Sequence, residues 1–165
     1  MSERPAAGAP AELLPRALDQ HRARGWRALG SGTLRYSVFD VYRMTYYVAG
    51  AKGYPDGDYA LEARYLRALS SQTLVKSAFE EMTRLAPRGT QEPDRAWLAR
   101  AFPSVGRGDR LLAVILGGSH LEMYCNDMLC ASLEDPLQVN TFGRIWLSED
   151  TRAPELRGQL LACVL

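Results

Sequence analysis

The chain has 165 residues and a formal net charge of +1, from 20 Lys and Arg against 19 Asp and Glu. A balance so close to zero carries no electrostatic footprint for nucleic acid or an anionic surface. With 47% hydrophobic and 24% charged residues, the composition is that of a globular domain able to bury one core without cross-links. No apolar run is long enough to span a bilayer. The first 20 residues lack the apolar core of about 7–15 residues that marks a secretory signal. The expected location is therefore cytoplasmic if Met1 is native and periplasmic if a signal has been removed.

Residues 1–10, rich in Pro, Ala and Gly, read as a disordered tail, with a single domain over 11–165. A short helix is expected over 11–24, where Leu13, Leu14, Ala17 and Leu18 share one side. Two strands are expected over 25–36 and 38–48, turned around Ser37, because the stretch is β-branched and aromatic with polar residues interleaved. Side chains alternate faces along a strand. Tyr42, Met44 and Tyr46 therefore share one face, and Val41, Arg43, Thr45 and Tyr47 the other. The first set can line an apolar cleft with a phenol left for a ligand, or can simply pack under a helix.

Gly50, Gly53 and Pro55-Asp56-Gly57 carry turn chemistry. Tyr59 to Leu66 alternates as a strand. Ser70-Ser71 offers a cap to a helix over 72–85, whose stripe is Leu74, Val75, Ala78, Phe79, Met82 and Leu85. A further helix is expected over 93–102, opened by Pro93 and stopped by Pro103. Strands follow over 109–116, 120–125 and 128–133, the last two joined at Asn126-Asp127, a pair suited to positive φ. Asp135-Pro136 starts a helix with Leu137, Phe142, Ile145 and Trp146, and a last helix begins near Pro154. This order predicts an α+β fold: one mostly antiparallel sheet with helices gathered on a face.

At this point a resemblance emerges. The blocks GSGTLRYSVFDVYRMTYYV, ALEARYLRALSSQTLVKSAFEEMTRL, GDRLLAVILGGSHLEMYCNDMLCASLEDP and FGRIWLSED together resemble the bacterial chalcone isomerase-like proteins. That resemblance implies an open-faced β-sandwich, a large antiparallel sheet with helices packed on one face. It does not imply the isomerase reaction. Where plant chalcone isomerases present a Tyr, a Lys and an Asn, this chain aligns Leu74, Ser77 and Glu81. Those side chains cannot stabilise an aryl-oxide and the enolate that develops from it. The Val41-Tyr42 pair is similar instead to the Val-Tyr of the superfamily's fatty-acid binders, in which that Tyr and an Arg on the preceding strand hold a carboxylate. Arg35 is the nearest match to the Arg, one residue later than in those binders. A one-residue shift reverses the face on a strand, so only a bulge near Ser37 returns Arg35 to the side of Tyr42.

The resulting expectation is a non-catalytic binder of a small apolar or amphipathic acid, fatty-acid-like, or of a phenol. Arg35 and Tyr42 would fix the polar end, and Met44, Tyr46, Leu74 and Ala78 would line the rest. No cofactor, metal or nucleic acid is implied, and nothing sets an oligomeric state. The alternatives are an isomerase or lyase of aromatic enones using Lys76 or Tyr65, and a protein-interaction scaffold.

Other constellations read as structural. The three cysteines, Cys125, Cys130 and Cys163, are odd in number and form no C-x-x-C, so no disulfide is expected. A two-residue loop at 126–127 would set Cys125 opposite Met128 and Cys130 opposite Met123, diagonal to each other. His120, Cys125 and Cys130 are poorly spaced for a metal. Glu80-Glu81 reads as a solvated face, and Trp26, Trp97 and Trp146 as packing anchors.

Overall fold

A computed structural model describes residues 14–23, 25–90 and 92–162. Six strands form one antiparallel sheet in simple sequence order: β1 (Trp26–Tyr36), β2 (Phe39–Ala49), β3 (Asp58–Tyr65), β4 (Arg110–Leu116), β5 (His120–Cys125) and β6 (Met128–Leu133). The helices are α1 (Arg16–Asp19), α2 (Ser71–Leu85), α3 (Glu92–Ala101), α4 (Pro136–Leu147) and α5 (Pro154–Leu160). The fold is α+β, with an open antiparallel sheet.

The main core lies between the sheet and α2 to α5. Tyr42, Met44, Tyr46, Val48, Leu61, Ala113 and Met123 from the sheet meet Val75, Met82, Leu98, Phe142 and Leu160 from the helices. The α2 stripe is buried at Val75, Ala78 and Met82, and the Ser70 hydroxyl accepts from the Thr73 N–H as its cap. The Asp135 carboxylate caps α4 by accepting from the Leu137 N–H, with Pro136 in the first turn.

Of the helix expected over 11–24, the described residues form one turn, with Pro15 at its N-cap; residues 11–13 and 24 and the tail over 1–10 lie outside the described residues. This short segment covers the opposite face of the sheet, where Leu18 and Trp26 pack with Tyr47, Ala60, Leu112 and Val114. His21 anchors it by a 3.0 Å contact from Nε2 to the Glu122 carboxylate, which also accepts from the Tyr124 hydroxyl at 2.9 Å. Burial pushes the Glu122 pKa up, but the hydrogen bonds from His21, His120 and Tyr124 outweigh it and hold the carboxyl below its usual range.

Gly30 and Gly32 are spacing residues. A Cβ on Gly30 would overlap the carbonyls of Gln159 and Leu160, and one on Gly32 the side chain of Gln159. Their lack of side chains lets α5 lie directly on β1.

Two irregularities decide positions that strand alternation alone misplaces. Between β1 and β2, Leu34 pairs with Tyr42 but Arg35 pairs with Asp40, so Val41 is an extra residue. Between β5 and β6, Met123 pairs with Ala131 and Tyr124 with Leu129, so Cys130 is extra. The second bulge corrects the expectation for the cysteines. Cys130 does not face Met123 but turns to Cys125, and the two form a disulfide with Cα atoms 6.2 Å apart. The Asn126-Asp127 turn itself is as expected, with φ of 49° and 73°.

Candidate functional site

A cleft of about 560 Å³ opens between the β1–β3 end of the sheet, α2, and the 145–153 segment. It is within the size range of ligand pockets. β1 and β2 bring Leu34, Arg35, Tyr36 and Tyr42; α2 brings Leu74, Ser77, Ala78, Glu80 and Glu81. Tyr65, Phe102, Ile145, Trp146, Thr151, Arg152 and Ala153 complete it. Helical spacing explains the α2 set, since 74, 77, 78 and 81 recur on one side.

Behind this cleft is a second, apolar cavity of about 30 Å³, lined by Met44, Leu61, Ala63, Leu111, Ala113, Met123 and Phe142. Tyr42, Tyr65, Phe102 and Trp146 border both spaces. These four rings form the floor of the cleft and the roof of the inner cavity.

Tyr42 is the polar centre of that floor. It is buried, its ring meets Tyr65 edge-on with centroids 5.4 Å apart, and its oxygen accepts from Trp146 Nε1–H at 2.8 Å. Indole can only donate, so this bond consumes an acceptor site on the phenol and leaves its O–H available to donate. Burial raises the Tyr42 pKa to about 12, with the Trp146 bond pulling the other way. The group is a neutral hydrogen-bond donor throughout the physiological range. Burial also raises Tyr65.

Arg35 stands at the mouth. Its Nε donates to the Asp40 carboxylate at 2.8 Å, and the two side chains are 68% and 46% exposed. Leu34 stands directly opposite Tyr42 and Arg35 opposite Asp40 across the bulge, and Arg35 is among the residues that line the cleft. On the opposite rim Glu81 pairs with Arg84 at 2.7 Å and with Arg152 at 3.6 Å.

The expected ligand-binding residues therefore separate into three groups. Arg35, Tyr42, Leu74 and Ala78 line one cleft. Met44 lies behind its floor, in the inner cavity. Tyr46 lines neither space; its hydroxyl accepts from the Tyr54 N–H at 3.0 Å and its ring meets Tyr59 edge-on. A shared strand face does not place Tyr42 and Tyr46 in one site, because they are two alternate positions apart. Of the residues considered for an enone reaction, Tyr65 lines the cleft, whereas Lys76 is exposed and outside it.

Sequence reading missed Trp146 as a site residue; Glu80-Glu81, read as a solvated face, borders the cleft with Glu80 exposed and Glu81 half-buried in ion pairs. The i,i+4 spacing of Phe142 and Trp146 signals a packed pair, and their rings do meet at 5.1 Å. Nothing local signals the bond to Tyr42, 104 residues away. Among the described residues, no group of three His, Cys, Asp or Glu side chains is placed to hold a metal, and no helix is long and apolar enough to cross a membrane.

No family model and no curated protein matches the chain. Among solved structures, a fatty-acid binding protein of Arabidopsis thaliana is similar, with a TM-score of 0.67 over 82% of this chain and 86% of that one, at 15% sequence identity. At that identity the likeness is one of fold, and the fold is that of chalcone isomerase-like proteins.

Proposed function

We propose that this chain is a non-catalytic binder of a small amphipathic acid, fatty-acid-like or phenolic, and that it belongs with the bacterial chalcone isomerase-like proteins. The observation that carries the reading is the pairing of a neutral, oriented phenol at the floor of the cleft with an arginine at its mouth. A carboxylate entering there accepts from the Tyr42 O–H and from the Arg35 fork. Arg35 is available because its present partner, Asp40, is an exposed ion pair, a kind that contributes only ~0–1 kcal/mol. The apolar part of the ligand lies along Leu34, Leu74, Ala78, Phe102 and Ile145. A structural neighbour that binds fatty acids supports the same reading.

The residues aligned with the isomerase set, Leu74, Ser77 and Glu81, all line this cleft. An isobutyl group, a hydroxyl and a carboxylate offer nothing cationic to a developing enolate. That favours binding over turnover.

The direct test is native mass spectrometry of the purified protein, before and after incubation with a mixture of fatty acids and flavonoids. A bound mass of a few hundred daltons, released on unfolding, is expected. Changing Tyr42→Phe together with Arg35→Ala should reduce uptake at least tenfold while the protein stays folded, with a melting temperature lowered by a few degrees because Trp146 Nε1–H loses its acceptor. Equal uptake by the double variant would show that the polar end is held elsewhere.

A further inference from the structure

The end of the sheet that holds the cleft mouth also carries an exposed apolar tip. Tyr36, Val38 and Phe39 are 75%, 81% and 50% exposed. They surround the two-residue turn between β1 and β2, in which Ser37 takes a φ of 58°. Such turns ordinarily carry Gly, Asn or Asp; here the apex holds a Val. Tyr36 also lines the cleft, so tip and mouth are one continuous surface.

The two chain segments that form this tip and its flank carry mostly positive charge, while Glu80 and Glu81 stand on the α2 side of the cleft. Segments 33–43 and 63–67 hold Arg35, Arg43, Arg64 and Arg67 against a single acid, Asp40. Both segments lie at the same end of adjacent strands, since Tyr42 pairs with Tyr65 and Arg43 with Arg64. The Arg67 guanidinium sits 4.3 Å from the centroid of the Phe39 ring. A net charge of +1 over the whole chain conceals this asymmetry, because acids elsewhere balance it.

An apolar apex ringed by arginines matches the layered chemistry of an anionic bilayer. Aromatic and branched side chains enter the boundary between headgroups and acyl chains, and guanidinium groups meet the phosphates. Three side chains offer far less than the ~1,000 Å² that a stable protein interface needs, which disfavours a protein partner as the occupant.

We propose that the β1–β2 hairpin tip docks this protein on anionic lipid bilayers, so that the cleft mouth faces the surface from which an amphipathic acid is drawn. The delivery of ligand rests on the binder reading above; the docking does not.

The test is flotation of the full chain with vesicles of phosphatidylcholine alone or with phosphatidylglycerol added, beside decanoate uptake in vesicle-free solution. The parent should float with phosphatidylglycerol vesicles at low salt and lose this in high salt or on pure phosphatidylcholine. Val38→Ser with Phe39→Ser, which removes the apolar tip without adding charge beside Arg35, should reduce flotation at least tenfold and leave decanoate uptake unchanged. Val38→Trp should increase flotation severalfold. No flotation of the parent, or flotation indifferent to these changes, would overturn the proposal. So would self-association of the parent that the Ser pair abolishes, because the tip would then contact a second copy of the chain. Flotation that responds as described, with no decanoate uptake by any form, would uphold docking and refute the fatty-acid form of the binder reading.

Discussion

In the proposed binding mode, Tyr42 and Arg35 hold the same ligand end by different physics. Tyr42 is buried and its hydroxyl is oriented by Trp146, so its donor is fixed before any ligand arrives. Arg35 is exposed and already occupied by Asp40, so a ligand carboxylate must compete for it. Removing the competitor should therefore help. Asp40→Asn is expected to tighten binding of an anionic ligand by about two- to fivefold, in keeping with the ~0–1 kcal/mol of an exposed pair. Titration calorimetry with decanoate would measure it. The gain should shrink in high salt and vanish for an uncharged alcohol of the same length; equal gains for acid and alcohol would exclude the charge argument.

At the level of elements, the seating of α5 on β1 depends on the absence of side chains at Gly30 and Gly32. Gly30→Ala drives a methyl into the backbone of Gln159 and Leu160 and should destabilise the protein by about 1–3 kcal/mol. Gly158, inside α5, has open space where a Cβ would stand. Gly158→Ala should stabilise by up to about 1 kcal/mol through helix propensity. Urea denaturation of the two variants separates the effects, because the same substitution takes opposite signs according to what faces it. Comparable changes of one sign in both would mean that contact with α5 is not what the glycine at 30 serves.

At the level of the whole molecule, the tyrosines couple stability to alkaline pH. Burial raises Tyr42 to about 12 and, with its bond to Glu122, Tyr124 to about 12; Tyr46, Tyr54 and Tyr59 are raised as well. Unfolded tyrosine loses its proton near pH 10. Between that pH and the folded values, the folded state binds more protons than the unfolded one. The stabilisation is therefore complete below pH 10 and is lost as pH rises through the folded pKa. Tyr42 alone accounts for about 3 kcal/mol across that window. The urea midpoint should be level from about pH 7 to 9 and fall steeply toward pH 11. Tyr42→Phe should flatten part of that fall, and an unchanged slope would show that Tyr42 does not titrate as its burial requires.

The sequence by itself determined the elements and their order. Strands expected over 25–36 and 38–48 are observed at Trp26–Tyr36 and Phe39–Ala49, and the α2 stripe and the Asp135 cap stand where periodicity and capping chemistry put them. These features depend on near neighbours in the chain, which is why they are legible there. It also determined that Arg35 could join Tyr42 only through a bulge near Ser37. That β2 bulges at Val41, with Leu34 opposite Tyr42 and Arg35 opposite Asp40, was decided by the tertiary structure. The same holds for the extra residue at Cys130 that brings the two cysteines together, for the removal of Tyr46 from the cleft, and for Trp146 as the partner of Tyr42. Each of these depends on strand register or on a contact between residues far apart in the chain. Register is settled by the packing of whole faces against each other, and a shift of one residue changes which side chains converge.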